Sequence, residues 1–204
     1  MTRESLFDTF NEIGRDLFVS RLITSHGGNL SVRDGEMIYI TRTGCELAHL
    51  SPEDIVEVSA LDPDERDAQA SCELVVHRAI YHAREKAWGQ TSGAIVHAHS
   101  PETTVRSFFD HYIEPWDSEA QLITPAIPVV TAPTTIGSAQ AGAVLAEALS
   151  QESSPDAIAV LHGHGPFACG ATLKDAYRLV SVVEHSCFII NRTIMLGTSQ
   201  ASGI

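Results

Sequence analysis

Ile95-Val96-His97-Ala98-His99-Ser100 is an apolar run carrying two histidines two residues apart. Alternate side chains of a β-strand share a face, so this run, read as a strand, turns both imidazoles the same way. Two convergent imidazoles begin a transition-metal site, which needs further ligands from elsewhere in the chain. A second apolar run, Ala157-Ile158-Ala159-Val160-Leu161, also reads as a buried strand and leads into His162-Gly163-His164-Gly165-Pro166. The glycines flanking His164 allow a sharp turn and a close backbone approach. One histidine on an apolar strand is ordinarily a satisfied core or surface residue. Two His-x-His clusters, each at a strand end, point instead to a metal site with His164 as third candidate ligand.

Around these clusters, helical and extended patterns alternate. Leu6, Phe10, Ile13 and Leu17 recur at helical spacing, giving an opening amphipathic helix that ends before Ser25-His26-Gly27-Gly28-Asn29. Leu30–Arg33 and Met37–Thr41 flank Asp34-Gly35 and read as a hairpin. Ser51-Pro52-Glu53-Asp54 has the form of a capping box with proline at the first helical position, and Ile55–Val58 reads as a further strand. From Glu73 to about Lys86 the spacing predicts a helix with Leu74, His77 and Tyr81 along one face and Glu73 in its first turn. Further helices are expected over Pro101–Phe109 and Ser138–Leu149, and from Thr172, where Thr172-Leu173-Lys174-Asp175 is a second capping box. Short hairpin links with interspersed helices predict a mainly antiparallel sheet covered by helices, not a strict βαβ repeat.

The chain has 204 residues, enough for one domain with a sizeable core, and no linker, low-complexity run or internal repeat divides residues 1–204. Hydrophobic residues make up 44% and charged residues 19%, too apolar for disorder. A formal charge of −13 argues against nucleic acid or an anionic membrane surface as partner. It leaves room for an anionic small molecule held by local backbone N–H groups. Met1-Thr2-Arg3-Glu4-Ser5 lacks the basic start of a secretory signal, and no apolar run is long enough to span a bilayer, so a cytoplasmic protein is expected. Cys45, Cys72, Cys169 and Cys187 lack Cys-x-x-Cys spacing and read as reduced thiols.

Three polar clusters remain: Gly27-Gly28-Asn29, Thr43-Gly44 and Ser71-Cys72. Each joins small or hydroxyl side chains to accessible N–H groups, the equipment of a phosphate cradle without lysine, although such stretches taken singly are usually just turns. Ser71 also suits the N-cap of the helix that contains Glu73.

Gly28-Asn29-Leu30-Ser31, Thr41-Arg42-Thr43-Gly44, Ser71-Cys72-Glu73 with His77 and Tyr81, Val96-His97-Ala98-His99-Ser100 and His164-Gly165, in that order, resemble the class II aldolase/adducin family. The resemblance implies an α/β fold: a three-layer αβα sandwich around a largely antiparallel sheet. It also implies a homotetramer with active sites between subunits. Position by position it makes His97, His99 and His164 the ligands of one Zn²⁺ per chain, with other divalent transition metals as alternatives. It makes Glu73 the catalytic acid/base, and Gly28, Asn29, Thr43, Gly44, Ser71 and Cys72 the phosphate-binding positions. The implied activity is cleavage of a ketose 1-phosphate, of the fuculose 1-phosphate type, to dihydroxyacetone phosphate and an aldehyde through a metal-stabilised enediolate. Three neutral imidazoles leave the ion its full charge and open positions for substrate oxygens, and a carboxylate can move the proton at C3. On its own, Glu73 reads as a solvated glutamate favoured by the helix dipole.

The chain departs from the family pattern at several positions. Cys72 stands where a second serine is usual, which removes a strong hydroxyl donor. Gly163 replaces an asparagine, and His162 has no counterpart and reads as exposed or as a neighbour of the ligands. The segment Asp110–Glu119 should supply a tyrosine proton donor to the adjacent subunit; Glu119 falls at that place, leaving Tyr112 as a candidate. The sequence stops at Ile204, short of the tail that helps close the family site. Rival readings are a sugar-phosphate epimerase, dehydratase or decarboxylase of the same superfamily, a cupin-type metalloenzyme using His97, His99 and Glu102, and a non-catalytic adducin-like module. Glu73 favours aldol cleavage over the first, Pro101 and the many helices oppose the second, and the retained histidines oppose the third.

Overall fold

The computed structural model describes residues 3–197; the readings that turn on Met1-Thr2 and on the stop at Ile204 lie outside the described residues. The strands are β1 (Asn29–Asp34), β2 (Met37–Thr41), β3 (Ile55–Ser59), β4 (Ser92–His97), β5 (Tyr112–Ile113), β6 (Ile127–Val130), β7 (Ala157–Leu161) and β8 (Gly165–Gly170). The helices are α1 (Arg3–Val19), α2 (Leu74–Trp88), α3 (Pro101–Ser107), α4 (Ser118–Ile123), α5 (Ala139–Gln151) and α6 (Leu173–Met195). The sheet runs in the order β3-β2-β1-β4-β8-β7-β6-β5.

Alternation along each strand separates two cores. Ala94 and Val96 of β4 join Leu30, Ile158, Val160 and Ala168 under α1 and α6. Ile95 faces the other way, with Ile38, Ala159 and Phe167, under α2 and α5. Helices on both faces of one sheet give the expected three-layer α/β sandwich. In α1, Leu6, Phe10, Ile13 and Leu17 are all buried, as their spacing predicts. The capping box at Thr172 forms: its N–H donates to Asp175 Oδ2 at 3.0 Å, and the Asp175 N–H donates to Thr172 Oγ1 at 3.2 Å.

The sheet is mainly antiparallel, as expected, and is mixed only because β6 and β7 pair in parallel. The connection between them is α5, and a crossover through a helix returns the chain in the same direction. Every other pairing in the sheet is antiparallel.

Register carries the fold to its functional end. Asn29 pairs with His97 across β1–β4, and His97 pairs with Phe167 across β4–β8. Cross-strand partners share a face, so these three side chains form a row on the α2 side. Gly165 sits against the end of β4 with φ +149°, and a Cβ there would stand 2.2 Å from the Ala98 carbonyl oxygen. Only glycine lets the β7–β8 turn close so tightly on the histidine-bearing loop.

Candidate metal centre

His97 is the last residue of β4, and His99 lies two residues on, past the strand end where a continuous strand was expected. The two rings still converge, with Nε2 atoms 3.0 Å apart. His164 arrives from the β7–β8 turn, whose Gly163 adopts φ +66°, and its ring stacks on His97 with centroids 4.8 Å apart. One ligand atom from each of His97, His99 and His164 lies within 4.8 Å of the others. A tetrahedral ion about 2.0–2.1 Å from each imidazole nitrogen needs donors about 3.4 Å apart, which this cluster can meet with small adjustments. Phe167 underlies the site, its ring stacked 3.9 Å from that of His97.

Glu73 stands at the N-cap of α2, one residue before the expected first turn, and the N-cap role offered to Ser71 belongs to it. Ser71 instead accepts the Glu73 N–H on its hydroxyl, at 3.3 Å. The Glu73 carboxyl is buried, with Oε2 3.1 Å from His97 Nε2 and Oε1 3.2 Å from His164 Nε2. Burial pushes this carboxyl up, but the hydrogen bonds from His164 and Asn29 hold it below the ordinary carboxylate range.

The hydrogen bonding at His97 tests whether a cation fits. Its Nδ1 lies 3.0 Å from the Pro166 carbonyl oxygen, which can only accept, so Nδ1 carries the proton. Burial lowers the His97 pKa to about 3, leaving a neutral ring whose Nε2 presents a lone pair. That lone pair faces a carboxylate oxygen, an arrangement of acceptors that a bound cation would reconcile. A backbone carbonyl fixing the far nitrogen of a ligand histidine is also the usual outer support of such sites.

Asn29 is buried beside them, its Nδ2 donating to Glu73 Oε2 at 2.9 Å. The remaining phosphate candidates gather at the same sheet end. Thr41 Oγ1 accepts the Leu30 N–H, the Ser71 N–H donates to the Thr41 carbonyl, and the Thr43 N–H donates to the Gln69 carbonyl. Gly28 and Gly44 adopt φ +77° and +72°, and Cys72 is exposed. These contacts bring the segment after β2 that holds Thr43-Gly44 against the one that holds Ser71-Cys72, and Gly28-Asn29 lies at the start of neighbouring β1.

Other candidates fall outside the cluster. His162 packs edge-on against Phe108, with ring centroids 5.2 Å apart. Gly163 donates its N–H to Ser107 Oγ at 2.9 Å, and a Cβ there would meet the Phe108 ring at 3.2 Å, which disfavours an asparagine. Tyr112 and Glu119 are exposed; Tyr112 lies on β5, four strands or roughly 19 Å from β4, so within one chain it does not reach the histidines. Sequence reading missed Ser31 and Phe167 as neighbours of the site. The two-residue period of β1 places Ser31 on the face of Asn29, a signal that was there to use.

His77 and His97 also govern acid stability. Unfolded imidazoles take up protons below about 6.5, whereas burial delays His77 until about 4 and His97 until about 3. The unfolded chain then binds more protons between about 6.5 and 4, so stability drops as the pH is lowered through that window. Each ring should contribute up to about 1.4 kcal/mol per pH unit, read as a falling urea midpoint of the metal-free protein from pH 7 to pH 4.5. A flat midpoint would show that both rings titrate normally.

The family model for the Class II Aldolase and Adducin N-terminal domain matches residues 9–190. An L-fuculose phosphate aldolase from Methanococcus maripaludis is 33% identical over 175 residues, covering 86% of this chain and 90% of that protein. A 5-methylthioribulose-1-phosphate/5-deoxyribulose-1-phosphate aldolase from Rhodospirillum rubrum is 31% identical over 157 residues, 77% of this chain and 67% of that one. The crystal structure of L-fuculose-1-phosphate aldolase from Thermus thermophilus superposes with a TM-score of 0.84 at 33% identity, covering 97% of this chain and 98% of the other.

Proposed function

This chain belongs to the class II aldolase and adducin family, and we propose that it is a metal-dependent lyase that splits a ketose 1-phosphate into dihydroxyacetone phosphate and an aldehyde. The observation that carries the reading is the meeting of three imidazoles with the buried Glu73 carboxylate at one sheet end. His97, His99 and His164 would hold the metal, and three neutral nitrogen donors suit Zn²⁺, with Co²⁺, Mn²⁺, Ni²⁺ and Fe²⁺ as competitors. Such an ion, when bound, supplies a Lewis acid for negative charge developing on the substrate's oxygens.

The chain's own groups do the rest. Breaking the C3–C4 bond leaves an electron pair at C3, and Glu73 would deliver a proton there and remove it in the reverse direction. Asn29 Nδ2 fixes the carboxylate, while the buried Phe167 ring against His97 excludes water from one side. The Ser71 hydroxyl, the second N–H of the Asn29 amide and the backbone of Gly28, Gly44 and Cys72 would hold the phosphate through oriented short-range donors, as the net charge of −13 requires. The relatives from M. maripaludis and R. rubrum carry different sugar phosphates in their names, so the reading commits to the phosphorylated end and not to the aldehyde. It includes a homotetramer with shared sites, which the exposed Phe108, Phe109, Tyr112 and Leu122 support. No helix among the described residues is long and apolar enough to cross a membrane.

Incubating the zinc-loaded protein with a panel of ketose 1-phosphates should release dihydroxyacetone phosphate and an aldehyde. Accumulation of an epimer or a dehydrated product instead would overturn the lyase reading. Ser71→Ala should raise KM for the phosphorylated ketose about 10- to 100-fold, the loss of one charge-assisted hydrogen bond. The unphosphorylated sugar should be handled as before; equal losses on both would place the phosphate elsewhere.

A further inference from the structure

Behind the metal centre, a buried line of polar groups that the proposed reaction does not itself use runs on from Asn29. Asn29 Oδ1 lies 2.6 Å from His77 Nε2, His77 Nδ1 lies 2.6 Å from Ser31 Oγ, and Ser31 Oγ lies 2.9 Å from the Tyr81 hydroxyl. Ser31, His77 and Tyr81 are all buried, and Phe167 closes the His77 ring edge-on at 6.1 Å.

The direction of every hydrogen bond follows from the Glu73 end. The Asn29 amide nitrogen donates to Glu73 Oε2 at 2.9 Å, which turns the amide oxygen to His77. His77 must then donate from Nε2. Burial lowers its pKa to about 4 and keeps it neutral, so Nδ1 is bare and accepts the hydroxyl proton of Ser31. With that proton committed, Ser31 accepts from Tyr81, whose alternative acceptor, the Gly93 carbonyl, is farther away at 3.5 Å. A chain in which each donor polarises the next is stiffer than its separate links.

We infer that Tyr81, Ser31 and His77 form a one-way hydrogen-bond chain that locks the Asn29 amide with its nitrogen toward Glu73, making His77 a positioning residue for that carboxylate. The kinetic consequence rests on the proposed role of Glu73; the chain and its direction do not. A carboxylate that moves a proton to carbon has to be held within a fraction of an ångström, and α2 supplies both Glu73 and the two groups that anchor its support.

The test begins with long-range ¹H–¹⁵N correlation spectra of the histidine rings in the full-length, zinc-loaded protein. His77 should appear as the tautomer protonated at Nε2, and Ser31→Ala, which removes the donor to Nδ1, should shift the Nδ1 resonance while Nε2 keeps its proton. A wild-type His77 protonated at Nδ1, or doubly protonated, would overturn the inference. In cleavage assays His77→Phe, which keeps the ring shape and removes the donor, should lower kcat about 10- to 100-fold with bound zinc retained. The fall in kcat should exceed any rise in KM, and His77→Gln, whose amide N–H can reach Asn29, should recover most of the rate. Equal kcat for the phenylalanine and glutamine variants, or a loss confined to KM, would refute the positioning role. If His77→Phe does not fold, the wild-type and Ser31→Ala spectra decide the matter. If no ketose 1-phosphate is cleaved, the lyase reading fails while the tautomer result still stands or falls by itself.

Discussion

Replacing Glu73 with glutamine is expected to leave the fold and the metal in place and to slow turnover by about 10²-fold or more, the usual cost of removing a general acid/base. The substitution is nearly isosteric, and two of the imidazoles have supports of their own: His97 is held by the Pro166 carbonyl, and His164 by the Gly163 and Gly165 turn. The amide of glutamine cannot exchange a proton with carbon. Zinc content by elemental analysis and kcat on the cleaved ketose phosphate together check the prediction. Unchanged turnover would move proton transfer to another group.

His164→Ala should cut deeper, because it removes one of three donors and with it most of the metal affinity. Loss of the Lewis acid is expected to lower turnover by about 10³-fold or more, equivalent to roughly 4 kcal/mol of transition-state stabilisation. Chelation of the unsubstituted protein should mimic the variant, and added Zn²⁺ should rescue the chelated protein but not the variant. A variant that keeps one metal per chain at full occupancy would show that the ion binds elsewhere. The two substitutions separate the roles: one should keep the metal and lose the proton transfer, the other should lose both.

What could be read from sequence was whatever local periodicity or turn chemistry specifies. The buried face of α1, the β1–β2 hairpin, the boxes at Ser51 and Thr172 and the meeting of the two histidine clusters follow from side-chain spacing and from Gly163 and Gly165. Pieces fixed only by tertiary contact were not legible. β6 contains Pro128 in four residues, and β5 has only two, so neither carries a pattern long enough to recognise. β8 begins Gly165-Pro166, a turn signal, yet all six of its residues are buried between β4 and β7. The parallel pairing of β6 with β7 is a property of the crossover through α5 and leaves no mark on either strand. At the site, residue types suggested a metal and a carboxylate, but the double engagement of Asn29 depends on the register that sets it opposite His97.

That register has a consequence for how the protein is made. The contacts that assemble the centre span 44 residues from Asn29 to Glu73, 69 from His97 to Pro166 and 91 from Glu73 to His164. Loop closure over such separations is slow, and contacts of this kind form late. Synthesis has to pass β8 before the last imidazole can meet the first, so a nascent chain released earlier holds an incomplete set of donors whatever helices it has formed. Zinc uptake during refolding should therefore trail the recovery of helical signal, and metal binding becomes a clock for the closing of the sheet.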